Sequence, residues 1–166
     1  MLAREILTIT YEDASYVGLT ASGLLAFGVP EAVVLDAVKD RLRAKVDAEA
    51  ERLRGSIATP GAGQAMEYQE AQAQAFAALG NPTAATPAAF PMLAASIGID
   101  LDPSTGAPAT DVVGVARSIQ AAYTRWLIAG AAIRRARLLG KAAIDGAASL
   151  EAADAAFDAI AWPTLS

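Results

Sequence analysis

Alanine fills roughly a quarter of this chain and recurs through almost every segment with helical spacing. It loses no side-chain entropy in a helix, so long alanine-rich stretches commit the backbone to helix. It also buries little area, so a core built from it gains modest hydrophobic energy. Helices can approach closely across such a core, and neighbouring copies are expected to add to it. The expected fold class is mainly α: helical hairpins or a bundle, with a short N-terminal β segment.

That β segment is "EILTITY", Glu5 to Tyr11. Ile6, Thr8 and Thr10 alternate with Leu7, Ile9 and Tyr11, the period of a strand with two different faces. A lone strand leaves backbone groups unsatisfied, so it must pair. Two solutions are open. In one, Ile6, Leu7, Thr8, Ile9, Thr10 and Tyr11 join a neighbouring subunit or another protein by strand addition. In the other they form a local hairpin with "SYVGL", Ser15 to Leu19, through Glu12-Asp13-Ala14.

Thr20 is placed to cap a short helical turn ending at Gly28. Pro30 opens the first long helix, which Gly55 is expected to stop. Along it Leu35, Val38, Leu42, Val46, Ala50 and Leu53 recur at spacings of three and four, a narrow apolar stripe. The stripe suits a helical hairpin or a coiled-coil seam between subunits. Asp36, Lys39, Asp40, Arg43, Asp47 and Glu51 lie opposite, with Arg43 expected to pair with Asp47 one turn on.

"TPGAGQAMEYQEAQAQAF", Thr59 to Phe76, begins like a phosphate-binding loop. Gln64, Ala65 and Met66 stand where that loop needs a Lys and a hydroxyl. Thr59 as cap and Pro60 as first helical residue read instead as a helix start, running to about Leu79. Its polar positions are mostly Gln64, Gln69, Gln72 and Gln74, a solvated face or an uncharged interface. "NPTAATPAAFP" is a proline-broken linker, "MLAASIG" a short helix, and "IDLDPSTGAPATD" a polar loop. In that loop Asp100, Asp102, Ser104 and Thr105 lack the ligand spacing of a calcium site and read as a turn. Thr110 is expected to cap the longest helix, Asp111 to about Gly146. Its stripe is Val112, Val115, Ile119, Tyr123, Trp126, Ile133, Leu138 and Ile144, interrupted by Gly114, Gly130 and Gly140. Ser149 caps a last helix ending at Trp162-Pro163, packed antiparallel on the one before it. The segments are therefore 1–29, an attachment segment; 30–80, a helical hairpin; 81–110, a linker with a short helix; and 111–166, a second hairpin.

The chain has neither cysteine nor histidine. Disulfides, thiolate chemistry and Ser-His or Cys-His nucleophile systems are excluded. The acids Glu31, Asp36, Asp40, Asp47, Glu49 and Glu51 lie beside basic residues on a helix surface, unlike a catalytic carboxylate in an apolar pocket. No enzyme activity, cofactor or metal is expected. A formal net charge of −5 disfavours nucleic acid, despite the basic runs "RLRAK" and "IRRARLLGK". No segment approaches the roughly twenty apolar residues of a membrane span, and no secretory h-region is present. No membrane partner is expected, and the chain should be soluble.

"LLAFGVPEAVVLDAV", "LRAKVDAEAERLR" and "ATPGAGQAMEYQEAQAQA" resemble small alanine-rich proteins of tailed bacteriophages and prophages. "FPMLAASIGID" and the run from Tyr123 to "IAWP" are similar to their carboxy-terminal half. Such proteins lie near tail-fibre genes and are fibre, fibre-assembly or other virion components. The resemblance starts at about Leu24 and implies a structural component of a tailed-phage or phage-derived particle, in a tail fibre, head spike or adaptor. It implies other virion proteins and copies of the chain as partners, a homo-oligomer, and a place in the virion after synthesis in the bacterial cytoplasm. It carries over no catalytic residues. Alternatives are a fibre-assembly chaperone absent from the mature particle, and a surface sugar-binding module marked by exposed aromatics such as Trp126 or Trp162.

Overall fold

The β-branched N-terminal stretch folds back on itself, and nearly everything after it is helix. The structure, a computed structural model, describes residues 5–57 and 62–165. Among the described residues β1 (Leu7–Tyr11) and β2 (Ala14–Leu19) precede α1 (Ala21–Ala26) and α2 (Glu31–Ile57). Then come α3 (Ala62–Gly80), a 3-10 turn at Pro82–Ala84, and α4 (Pro91–Ala94). A small pair, β3 (Leu101–Asp102) and β4 (Ala107–Pro108), leads into α5 (Val112–Asp145) and α6 (Leu150–Asp158). The protein is mainly α, as its composition implies.

Local chemistry sets most boundaries. The Thr20 side chain accepts from Gly23 N at 3.2 Å and starts α1. The Ser149 hydroxyl accepts from Ala152 N at 3.2 Å and starts α6. At α5 the cap is Asp111 rather than Thr110: its Oδ1 accepts from Gly114 N at 2.7 Å. Gly55 does not stop α2, which continues to Ile57. It lacks the positive φ of a helix-ending glycine, and one glycine costs only about 1 kcal/mol inside a helix. The Thr59–Pro60 start of α3 lies outside the described residues.

Two compact units emerge, one from the described residues of 1–54 and 131–166, the other from those of 55–130. They cut across the four segments drawn along the sequence, because the N-terminal hairpin shares a core with the chain's C-terminal part. In the first unit Leu7, Leu24, Val34, Val38, Leu42 and Val46 are buried with Ile144, Leu150 and Ala153. In the second, Ala75 and Ala78 of α3 are buried with Leu93, Val112, Val115 and Ala116. The short link after α5 turns the chain back, so that Ile160 lies over Gly140.

Candidate assembly surface

β1 and β2 form an antiparallel hairpin in which Tyr11 pairs with Ala14, Thr10 with Ser15, Ile9 with Tyr16 and Thr8 with Val17. The strand is therefore not alone. Of the two pairings the sequence left open, the local one is formed, because Glu12 accepts φ 50° in a two-residue turn. The register shifts before the Leu7–Leu19 pair, and Gly18, at φ 70°, is the extra residue of this bulge. Leu7 is buried, and Ile9, Tyr11, Tyr16 and Leu19 pack on the same core. Ile6, Thr8 and Thr10 face outward with Val17, as the alternation predicts.

The hairpin satisfies one edge of β1. Among the described residues no strand lies beside the other. Residues flanking a two-residue turn exchange both backbone bonds, so alternate residues aim theirs outward. By that rule Thr8 and Thr10 present N–H and C=O to the free edge. A groove of about 420 Å³ runs between β1 and α2, lined by Ile6, Leu7, Thr8, Ile9, Ala37, Asp40 and Arg41. Its charges are held in place: Glu5 binds Lys45 and lies 3.5 Å from Arg41, while Asp40 binds Arg43. Nearby on α6, burial, followed by the charges of Asp158 and Glu5, raises the Asp154 carboxyl above its ordinary range.

The apolar stripe of α2 is not open to a partner. Val38, Leu42 and Val46 are buried inside the chain's own core, and Ala50 and Leu53 continue the buried line. Val34 takes the first position, and Leu35 sits only partly buried at the flank. A stripe this narrow is used up by one intramolecular neighbour, which removes it as a seam between subunits. The polar face also works at long range. Asp47 accepts from Arg137 Nε at 2.6 Å and Lys141 Nζ at 2.8 Å, both on α5. Hydrogen bonding from Lys141 first, then from Arg137, lowers the Asp47 carboxyl below its ordinary range. Arg43 turns to Asp40 and Asp145 instead of Asp47.

In the second unit the Asp100–Thr105 stretch is a turn, as read, but Asp102 has work that the sequence did not reveal. It is 5% exposed and accepts from Arg117 Nε at 3.0 Å and from Ser104 N and Oγ at 2.9 and 2.8 Å. The Arg117 guanidinium, aided by Ser104 N–H, holds its carboxyl far below the carboxylate range. Among the described residues no group of three or more acids is placed to share a metal ion. Gln74 accepts from Met92 N at 3.0 Å, so one glutamine of α3 satisfies the start of α4.

The α5 stripe is buried at Val112, Val115, Ile133 and Ile144 but not throughout. Trp126 and Leu138 are 44% and 46% exposed. Tyr123 stacks on Trp126 with ring centroids 6.0 Å apart, and Phe76 of α3 meets the Tyr123 edge at 5.8 Å. The three-residue spacing of Tyr123 and Trp126 signals a shared face, but nothing in the sequence brings Phe76 to it. No helix among the described residues is long and apolar enough to cross a membrane. No family model, curated protein or solved structure matches the chain.

Proposed function

We propose that this chain is a structural component of a tailed-phage or phage-derived particle, acting in a tail fibre, head spike or adaptor through protein–protein assembly. It enters the virion after synthesis in the host cytoplasm, and its partners are other virion proteins and further copies of itself. The observation that carries this reading is the free edge of β1. Backbone donors and acceptors at Thr8 and Thr10 lie beside an open groove whose floor is the helix α2. A strand from a neighbouring virion protein fits there by main-chain pairing, with alternate side chains facing the groove. A short edge left uncovered invites such pairing, and natural proteins otherwise blunt it with proline or charge.

The test blocks the edge without touching the core. Deleting β1 would remove the buried Leu7, whereas Thr10→Pro removes one outward N–H and leaves the inward bonds of Ile9 and Tyr11. The variant is expected to keep its helical circular dichroism and to fail to enter particles when it replaces the wild-type chain. Incorporation at wild-type levels would reject attachment through this edge.

A further inference from the structure

Two helical stretches of the second unit are bare on every side. Residues 64–70 of α3 and 124–128 of α5 are all exposed, although each covers more than a full turn. Such a helix normally carries polar residues, because short helices without tertiary packing are marginal in water. Here Met66 is 71% exposed, Tyr68 55% and Ile128 68%, with Trp126 and Leu127 also exposed beside them. Phe76, Tyr123 and Trp126 join α3 and α5 at this place, so the bare stretches belong to one pair of helices.

Charge indicates what covers them. The charged residues of α3 are two acids, Glu67 and Glu70, and it has no base. From Arg117 to Arg134, α5 carries a single charge, Arg125, and no acid. Arg117 is taken by Asp102, while Arg125 and Glu67 have no ion-pair partner among the described residues. A two-fold interface repeats every contact, residue i on j and j on i. Setting α3 of one copy against α5 of another therefore places acids on Arg125 twice. It also gives each bare helix two neighbours, the arrangement of a four-helix bundle.

We propose that a second copy of this chain docks here, burying Met66, Tyr68, Trp126, Leu127 and Ile128 and pairing Glu67 and Glu70 with the second copy's Arg125. This deepens the assembly reading and rests on it, but it is tested on purified protein without any particle. In sedimentation velocity at micromolar concentration the full chain sediments as a dimer. Ile128→Glu, at an already exposed position, keeps its circular dichroism and weakens the dimer at least about tenfold, since it buries an unpaired charge. Glu67→Arg with Glu70→Arg also weakens it, and adding Arg125→Glu restores it. A wild-type chain that stays monomeric, an Ile128→Glu variant as dimeric as wild type, or a charge reversal without effect each overturns the proposal. The Thr10→Pro test fails or succeeds independently, because it concerns the other compact unit.

Discussion

At the scale of single residues, the three glycines of α5 separate into two kinds. A Cβ on Gly114 would stand 2.9 Å from Ala109 Cβ and 3.0 Å from Asp102 Oδ2, and one on Gly140 would stand 2.8 Å from Ile160 Cγ1. These positions let other parts of the chain lie directly on the helix. Gly130 has nothing within 4 Å of such a Cβ, so it carries the helix cost of glycine without a contact in return. Gly130→Ala is therefore expected to stabilise the protein by about 1 kcal/mol in urea unfolding. Gly114→Ala is expected to destabilise it by about 1–3 kcal/mol, because the methyl meets a backbone-fixed carbon and a buried carboxylate. Equal effects from the two would show that close approach is not what selects glycine at Gly114.

At the scale of elements, α2 is joined to α5 by charge as well as by burial. Asp47 has a carboxyl lowered from 3.8 by Lys141 and Arg137. The stability it adds is fully present above that ordinary value and is lost as pH falls through the lowered one. Asp47→Asn should melt below wild type at neutral pH, and the gap should close in strong acid and shrink in high salt, since the group is half exposed. A gap that persists in acid would assign the loss to packing. The helices themselves were legible: spacing of apolar residues, Thr20, Ser149 and the Gly80-Asn81-Pro82 stop located them within a few residues. The β1 alternation also assigned the faces of Leu7 and Ile6 before any pairing was known. What pairs with what was less legible. Arg43 and Asp47 are one turn apart in sequence, yet each finds partners on α5 about a hundred residues away, since neighbouring charges on a helix gain only a few tenths of a kcal/mol. The choice between a local hairpin and strand addition likewise rested on one turn, where Glu12 takes a conformation that its residue type does not announce.

At the scale of the whole molecule, the chain encloses the stripe expected to join subunits and leaves uncovered two surfaces that the stripe does not touch. The edge of β1 belongs to one compact unit and the bare helix pair of α3 and α5 to the other. The sequence pointed to the first of these surfaces and passed over the second, because Trp126 sits on a helical stripe that reads as core until its exposure is seen. Alanine explains both outcomes. Small side chains close the interior with little apolar area, and the larger residues left over lie outside, where another chain can use them. The account's central claim is that this chain is built into a particle, and mass spectrometry of purified particles tests it most directly. The account predicts the chain in every preparation at a fixed ratio to the other structural proteins, through washing and density banding. Its presence only in the lysate, with unassembled fibre and none in the banded particles, would contradict the claim and assign the chain to assembly alone.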